Sequence, residues 1–341
     1  MSNRPATMRD VARRAEVSLS TVSRVLRGAP GVSPRVRDRV ETAAAEMHYV
    51  VSKSASGLAT GRTNRVAAVV NTVDQWYFSA AISGLGEVLQ RAGMDLLIYQ
   101  VGEPCPGLPW LRDLGLSGNC DAIITVSMDI SDDDVGLLEQ YSKPIVLVGQ
   151  QMPGHASVFI DDRAAAMTAT RHLLNLGHTR IAYIGSRLST WFHGSSRDRL
   201  EGYRNAMAEA GLPEWSIIKS QGHAGGQLGM GELLSNSPPP TAVLAEFDEV
   251  AMGAYRTMRR AGTLVPQSIS LMGFDNHEVA SVLDLTTVDQ SPRAIGSTAA
   301  QLTLDILAGE KPADTHIEMP VQVVPRHSTA APDERFTRVL S

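Results

Sequence analysis

Residues 7–26 read TMRDVARRAEVSLSTVSRVL, a pattern that predicts two short helices joined by a turn. Thr7 and Asp10 have the spacing of a capping box, in which each side chain accepts a hydrogen bond from the other residue's backbone. Ser18 suits the N-cap of the second helix, and Gly28 suits a left-handed residue that ends it. Apolar side chains recur at helical spacing. The predicted buried residues are Met8, Val11, Ala12 and Ala15 in the first helix and Val22, Val25 and Leu26 in the second.

A third helix is predicted to start at Ser33, with Pro34 in its first turn, where the fixed φ of proline favours a helix. Its predicted buried residues are Val36, Val40, Ala44 and Met47. Two short helices joined by a tight turn form a helix-turn-helix, which in DNA-binding proteins lays the start of its second helix in the major groove. We therefore expect an all-α DNA-binding headpiece over residues 1–50.

The exposed side of the second helix carries residue types that contact DNA. An arginine pairs with guanine, a leucine contacts a thymine methyl group, and small hydroxyl side chains bind phosphates. A helical bundle with a merely solvated face is the alternative, but small polar residues crowd this face and favour DNA contact. The predicted DNA-binding residues are Leu19, Ser20 and Arg24 for bases, Ser18, Thr21 and Ser23 for phosphates, and Thr7 and Ser33 at the starts of the neighbouring helices.

Charge is distributed unevenly along the chain. Residues 1–65 contain 12 arginines and lysines and 5 acidic residues, a net charge of +7, whereas the remaining residues carry −12. A basic head on an acidic body is expected when only the head contacts a polyanion. An ordinary basic tail is the alternative, and the helix-turn-helix pattern favours the DNA-binding interpretation.

The residue identities of the headpiece support a family assignment. The informative positions are MRDVA at 8–12, Val17-Ser18, TVSRVL at 21–26, Val32-Ser33, Arg37, Val40, Ala44 and Tyr49. This string closely resembles the headpieces of the LacI/GalR family of bacterial transcription repressors. Glu16 departs from the glycine or asparagine that the family usually has in the turn. A positive φ there costs glutamate about 1 kcal/mol, and we expect the turn to survive.

Residues 51–63 read VSKSASGLATGRT, which is rich in small residues and typical of a flexible linker. The family resemblance implies instead a hinge helix that orders on operator DNA, with Leu58 inserted into the minor groove as a wedge. Val51-Ser52 and Ser56 replace the Pro-Asn and Arg of the usual hinge. Loss of that arginine implies weaker hinge contact with DNA, for which Lys53 is the candidate replacement.

From Arg65 onward, short apolar runs alternate with helical stretches. This alternation predicts parallel sheets with helices on both faces, and the number of strands predicts two such units. Ligands bind these sheets at the carboxyl ends of the strands, so we expect a cleft between two α/β lobes. The predicted strands are Val66–Val70, Asp95–Tyr99, Ala122–Val126, Ile145–Val148, Ile181–Ile184, Ala242–Ala245 and Ser270–Gly273. The predicted helices are Ala80–Ala92, Asp162–Leu176, Arg199–Ala210 and Glu249–Ala261.

The large region resembles the same family at LGHTRIAYI (176–184), RLEGY (199–203), VPQSISLMGFDN (265–276) and LTTV (285–288). The resemblance implies a periplasmic-binding-protein-like effector domain of two doubly wound parallel-sheet lobes. It also implies three crossovers between the lobes, the last two near Gln290 and residue 320. The predicted divisions are a headpiece at 1–50, a hinge at 51–63, and an effector-binding and dimerisation domain at 64–341. Within that domain the N-lobe is about 64–161 plus 290–319, and the C-lobe is about 162–289 plus 320–341.

Arg199 and Asp275 resemble the effector-binding arginine and aspartate of the family, and such a pair suits neighbouring sugar hydroxyls. Phe247 replaces the Asn of a family Asn-Asp motif, which makes an unusual or less polar effector plausible. Aromatic residues in loops after strands can stack on a ring, although packing in the lobe core is equally expected. A structural ion pair is the alternative role of Arg199 and Asp275. The candidate effector-binding residues are Trp76, Tyr77, Phe78, Gln150, Trp191, Arg199, Phe247, Asp248, Asp275 and Gln290.

The composition and the incomplete motifs argue against several classes of protein. Hydrophobic residues make up 43% of the 341-residue chain and charged residues 20%, which is typical of a globular protein of two or three domains. Two cysteines, Cys105 and Cys120, exclude a disulfide framework. No leader peptide or membrane span is recognisable, so we expect a cytoplasmic, nucleoid-associated protein. Zinc-protease, phosphate-loop and dinucleotide motifs are incomplete, so we expect no enzyme activity, cofactor or metal.

These features predict a homodimeric repressor that binds a pseudo-palindromic operator and responds to a small effector such as a sugar or sugar derivative. Either sign of the response, induction or corepression, is open. A cytoplasmic sugar-binding protein without DNA function is the main alternative, and an enzyme on a doubly wound fold is the second. A dimer is favoured over a tetramer because residues 326–341 lack a leucine heptad repeat.

Overall fold

The computed structural model describes residues 6–26, 28–49, 62–101, 116–128, 130, 136, 140, 143–186 and 193–333. Contacts between Cα atoms divide the chain into two compact units, Met1–Asn64 and Arg65–Ser341. Among the helices in the described part, none is both long and apolar enough to cross a membrane.

Three helices form the head, α1 (Met8–Arg14), α2 (Leu19–Leu26) and α3 (Pro34–Glu46). The predicted capping box is present at the start of α1. Ser18 Oγ accepts from the backbone amide of Thr21 at 3.1 Å, as expected for the N-cap of α2. Gly28 has a φ of +68° and follows the end of α2. The head has its own core, which comprises Val11, Ala12, Ala15, Val22, Val25, Val40, Ala43 and Ala44.

The first lobe is built on a six-stranded parallel sheet with the order β11-β5-β4-β3-β1-β2. Side chains of β1 alternate between two apolar clusters, so both faces of the sheet are buried. The strands are β1 (Arg65–Val70), β2 (Asp95–Gln100), β3 (Ala122–Val126), β4 (Ile145–Val148), β5 (Ala156–Phe159) and β11 (His316–Glu318). Its helices are α4 (Trp76–Arg91), α5 (Leu116–Asn119) and α11 (Pro292–Leu307).

The second lobe is built on a four-stranded parallel sheet with the order β7-β6-β8-β9. The strands are β6 (Ile181–Ser186), β7 (Ser216–Lys219), β8 (Ala242–Ala245) and β9 (Ser270–Met272). Its helices are α6 (Asp162–Asn175), α7 (His193–Glu209), α8 (Gly222–Leu234), α9 (Asp248–Ala261) and α10 (Glu278–Val282). Helices α6 and α7 pack together, as do α8 and α9. Two parallel sheets with covered faces thus match the predicted α/β architecture.

The chain returns between the lobes through two short strands, β10 (Thr287–Asp289) and β12 (Gln322–Val324), which pair in an antiparallel manner. Gln290 directly follows β10, and β12 begins after β11 has joined the first sheet. These two strands are three residues long and were not predicted, because a strand this short carries no readable hydrophobic period.

Several predicted elements differ from the structure. Helix α4 starts at Trp76 rather than Ala80, so Trp76, Tyr77 and Phe78 belong to its first turn and the prediction of a loop there is wrong. Helix α7 starts at His193, which places Arg199 in the second turn rather than at the start. Val36, predicted to be buried, is only half-buried. Elements that the sequence did not predict include β5, β7, β11, α8 and α11.

Candidate ligand-binding cleft and nucleic-acid interface

A cavity lies where the carboxyl ends of the strands of both lobes meet. Ser127 and Gly149 follow β3 and β4, while Glu246 follows β8, so each sheet contributes residues just beyond its strands. The walls consist of Gln75, Trp76, Tyr77, Phe78, Ser127, Gly149, Phe159, Ile160, Asp162, Ser195, Ser196, Arg199, Gln221, Glu246, Phe247, Glu249, Asp275, His277, Gln290 and Ile295.

Arg199 is the central charged group of this cavity. Its Nε donates to Asp162 Oδ1 at 2.7 Å, and its Nη1 donates to the backbone carbonyl of Glu246 at 2.9 Å. The same Nη1 lies 3.6 Å from Asp275 Oδ1. The guanidinium carbon lies 3.7 Å from the centroid of the Phe274 ring, so the charge sits over an aromatic face. Arg199 and Asp275 are therefore adjacent on the cavity wall and also form an ion pair.

Asp275 is held in an unusual backbone conformation. Its φ is +112°, a region that side chains other than glycine rarely adopt. Its backbone amide donates to the carbonyl of Val288, and Gln290 Nε2 donates to its carboxylate. Burial raises the pKa of the Asp275 carboxyl to about 7, although the nearby guanidinium of Arg199 favours the charged form. Hydrogen bonds with Val288 in β10 and with Gln290 thus hold this titratable carboxyl at the cavity, on a strained backbone.

The aromatic candidates occupy different surroundings. The Trp76 ring lies 4.8 Å from that of His277, and the Trp76 backbone amide donates to Glu249 Oε1 at 3.1 Å. Burial raises the pKa of Tyr77 to about 12, partly offset by a hydrogen bond with Ser127. Phe78 also borders the cavity but packs mainly in the core of the first lobe. Trp191 lies outside the described residues.

Asp248 and Gln150 were predicted to contact an effector, and neither is among the described residues that border the cavity around Arg199. Asp248 is buried and does not border the cavity in the described part of the chain. It accepts from Thr287 Oγ1 and from the backbone amide of His277, each at 2.7 Å, so it supports the loop that carries Asp275. Gln150 borders an adjoining cavity and binds the backbone of Ile130 through both amide atoms.

Sequence reasoning missed several residues of the cavity wall. Asp162 at the start of α6 binds Arg199, and Glu246 accepts from the Ser186 backbone amide and the Ser196 hydroxyl. Glu249, Gln221 and His277 also border the cavity. The sequence did carry a signal for Glu246. This residue directly follows the apolar run 242–245, which is a buried strand, and so its place at the carboxyl end of the sheet could have been predicted.

The exposed face of α2 carries the predicted base-contacting residues. Leu19 is 44% exposed, and Ser20 and Arg24 are also exposed. Arg24 Nη2 donates to the carbonyl of Pro30 at 2.9 Å, so its guanidinium lies beside the loop that follows α2. Ser18 Oγ lies 2.8 Å from the hydroxyls of Ser20 and Thr21. The face is thus available to a ligand, while Leu58 lies outside the described residues.

The turn between α1 and α2 tolerates its unusual glutamate. Glu16 has a φ of +53°, the left-handed region in which a side chain costs about 1 kcal/mol. Arg39 Nη2, from α3, donates to the carbonyls of Ala15 at 2.6 Å and Glu16 at 3.2 Å. These hydrogen bonds anchor the turn to the third helix, as required for a fixed angle between α1 and α2.

Comparisons of the sequence with family models gave two matches. Residues 7–52 match the model described as "Bacterial regulatory proteins, lacI family". Residues 170–329 match the model described as "Periplasmic binding protein-like domain".

Named relatives and solved structures match most of the chain. The HTH-type transcriptional regulator GalR of Escherichia coli is 34% identical over 336 residues, which cover 96% of each chain. The ribose operon repressor of Haemophilus influenzae is 30% identical, covering 88% of this chain and 91% of that protein. A lac repressor dimer bound to operator and the anti-inducer ONPF superimposes with a TM-score of 0.86 at 25% identity, covering 96% of this chain and 100% of that chain. A complex of the regulator CelR with cellobiose gives a TM-score of 0.68 at 28% identity, covering 95% of this chain and 99% of that one.

Proposed function

Because this chain belongs to the LacI family of bacterial regulatory proteins, we propose that it controls transcription through operator binding that responds to a small effector. The family membership confirms the predicted resemblance and the predicted fold class. The relatives are regulators rather than enzymes, in agreement with the prediction of no enzyme activity. The observation that carries the proposal is the exposed face of α2, which presents Leu19, Ser20 and Arg24 on a head of net positive charge.

In this proposal each head reads one half of a pseudo-palindromic operator, and a homodimer supplies two heads. Arg24 contacts a guanine and Leu19 a thymine methyl group, while Ser18, Thr21, Ser23, Thr7 and Ser33 position the head on phosphates. Leu58 in the hinge 51–63 is proposed as the minor-groove wedge. We propose that operator binding keeps the protein in the cytoplasm, at the nucleoid.

The effector is proposed to bind the cavity between the lobes. Sugars are the favoured class, since one structural neighbour is named as a cellobiose complex and one relative as a ribose operon repressor. The proposed contacts come from Arg199, Asp275, Gln290, Phe247, Trp76 and Tyr77, all on the cavity wall. Asp248 supports the loop that carries Asp275. We also propose that the chain passes from one lobe to the other near residues 161, 290 and 320.

Regulation follows from a difference in effector affinity between two arrangements of the lobes. An effector that contacts both lobes favours one arrangement, and the operator favours one arrangement of the paired hinges. Coupling between the two sites arises only if each ligand binds one arrangement more tightly than the other. Induction and corepression are both compatible with this scheme.

A DNA-binding titration tests the proposal. Duplexes selected from a random pool by the full-length protein serve as operator, and fluorescence anisotropy gives the dissociation constant. Arg24→Ala should weaken binding about 10- to 100-fold, because a bidentate arginine–guanine contact is worth about 1–3 kcal/mol. Arg260→Ala removes the same charge from the exposed surface of the effector domain and is the control. No selected duplex, or equal binding by both variants, would contradict the proposal.

A further inference from the structure

The wall of the cleft is strongly acidic. It carries four carboxylates, from Asp162, Glu246, Glu249 and Asp275, and its one guanidinium is that of Arg199 among the residues that the structure describes. Burial lowers the pKa of His277, so this ring supplies no positive charge at neutral pH. An effector must complement this charge distribution.

Pairing within the wall leaves two of these carboxylates without a cation. Arg199 pairs with Asp162 and lies 3.6 Å from Asp275. Glu246 accepts only from neutral donors, the Ser186 amide and the Ser196 hydroxyl, and is almost fully buried. Glu249 accepts from the backbone amide of Trp76. Within the described ranges, therefore, Glu246 and Glu249 form no ion pair.

The part of the cleft next to this cavity is also acidic. An adjoining cavity of the cleft carries Asp161, Asp198 and Glu318 against Arg197 in the described residues. Asp198 lies 3.7 Å from Arg197 and 3.2 Å from Arg163, so its charge is offset, and Asp161 and Glu318 supply the negative charge of this cavity. A cleft lined by one sign of charge raises the local concentration of ligands of the opposite sign and repels ligands of the same sign. Phosphorylated and carboxylated ligands are therefore disfavoured before they reach the wall.

Aromatic faces on the same wall add an independent preference for a cation. Trp76, Tyr77 and Phe247 border the cavity, and Trp76 is paired with the His277 ring. The face of an aromatic ring attracts an ammonium group through its quadrupole, most strongly where water is excluded. The Trp76 backbone amide donates to Glu249 Oε1, so this carboxylate lies at the start of the helix that carries the Trp76 ring.

We propose that the effector of this cleft is a sugar-sized polyol that carries a protonated amine, with the ammonium group bound by Glu246 and Glu249 and the hydroxyls by Arg199 and Asp275. An amino sugar is the simplest ligand of this class. The inference rests on the proposed function to the extent that it takes this cavity as the effector site. Sugar phosphates and sugar acids are disfavoured by the same acidic groups.

The protonation state of the empty site is consistent with this assignment. Burial raises the pKa of Asp275 to about 7 and also raises that of Glu246. A bound ammonium group favours the ionised carboxylates, so binding should release protons to the buffer. The other charged or titratable groups near these two carboxyls are Tyr77 on α4, Asp162 on α6, Tyr183 on β6, Arg199 on α7, Asp248 and Glu249 on α9, and His277 before α10.

Calorimetric titration of the full-length protein with matched sugars tests the proposal. The probes are glucosamine, galactosamine and mannosamine, each with its parent hexose and the corresponding hexose 6-phosphate. At least one amino sugar should bind about tenfold or more tightly than its parent, and its affinity should fall with added salt. Binding of a 6-phosphate, equal or tighter binding of the parent, or no binding of any amino sugar overturns the proposal.

Charge-neutral variants identify the carboxylates responsible. Glu246→Gln and Glu249→Gln should each weaken the amino sugar about tenfold while changing the parent hexose less than about twofold. Glu310→Gln, at an exposed position after α11, is the matched control and should change neither. A thermal melt checks folding, and Glu249→Gln serves if Glu246→Gln is unstable. Equal weakening of both sugars by both variants overturns the assignment. The titrations contain no DNA, so their failure leaves the operator-binding result independent.

Discussion

Arg199 has a structural role in addition to its proposed role in effector binding. Its side chain is buried and joins Asp162, the backbone of Glu246 and Asp275, which come from three separate elements. Removing a buried guanidinium leaves its carboxylate partners uncompensated, and such a loss commonly destabilises a protein more than any single ligand contact would.

Arg199→Ala should therefore lower the free energy of unfolding by about 3 kcal/mol or more. Arg171→Ala, which breaks an exposed pair with Glu209, should change it by less than about 1 kcal/mol and is the control. Urea unfolding of the full-length protein, followed by far-UV circular dichroism, measures both. If the two variants prove equally stable, the buried ion pair does not hold the lobe together, and loss of effector binding in Arg199→Ala can be attributed to contact alone.

Asp248 links stability to pH. Burial, together with the neighbouring charge of Asp275, raises the pKa of its carboxyl to about 8. The folded protein thus binds a proton that the unfolded chain releases near its ordinary pKa of about 4. This contribution to stability is complete below that ordinary pKa and is lost as the pH rises through the folded-state pKa.

Asp248→Asn cannot titrate, so the free energy of unfolding should decline less steeply with rising pH in this variant than in the wild type. The difference should reach about 1 kcal/mol or more between about pH 5 and about pH 8. Asp74→Asn, at an exposed position before α4, should keep the wild-type slope. Unfolding curves at several pH values measure the slopes, and an unchanged slope in Asp248→Asn would remove this carboxyl as the source.

Helices α4 and α11 approach so closely that glycine is required at their contact. A Cβ atom at Gly84 would lie 2.0 Å from the backbone carbonyl oxygen of Arg293, and one at Gly296 would lie 2.0 Å from that of Ala81. These distances are far below van der Waals contact, so the helices would have to move apart. The same device recurs between α8 and α9, where a Cβ atom at Gly226 would lie 2.0 Å from the carbonyl of Val250.

Gly84→Ala should destabilise the effector domain by about 2 kcal/mol or more, because the overlap is with backbone. Gly86→Ala lies in the same helix, where the nearest atom to a new Cβ is Leu96 Cδ2 at 3.8 Å, and should stabilise by up to about 1 kcal/mol. Thermal unfolding of the two variants compares them directly. Equal stability of the two variants would mean that the close approach of the Arg293 carbonyl to Gly84 does not decide the effect of the substitution.

Glycine packing also explains why α8 was not predicted. Its segment, 222–234, is rich in glycine, which weakens an isolated helix by about 1 kcal/mol per residue relative to alanine. Gly225 and Gly226 are needed where the helix touches the carbonyls of Ser220 and Val250. Tertiary packing, which is invisible in the local pattern, thus forms this helix against its propensity. Helices with strong periodicity, such as α6 and α9, were predicted to within one residue.

At the scale of the whole molecule, the division at Asn64 separates the basic head from the acidic effector domain. A fragment of residues 62–341 should keep its cooperative unfolding transition and lose binding to the selected operator. Anisotropy and thermal unfolding of the fragment and the full-length protein measure the two properties. A sugar-binding protein without DNA function predicts instead that the full-length protein gains no DNA affinity over the fragment, even at low salt, where phosphate contacts are strongest.

The sequence by itself determined the head, because its capping residues, apolar spacing and exposed polar face all lie within 20 consecutive residues, 7–26. It also determined the α/β class, because buried parallel strands are continuous apolar runs. Only the tertiary structure decided the charge of the cleft. Asp162, Glu246 and Asp275 are more than 25 residues apart in the chain, and the sheet topology alone brings them to one guanidinium. Local pattern cannot reveal such an arrangement, since the distance between residues far apart in sequence depends on how the lobes fold and meet.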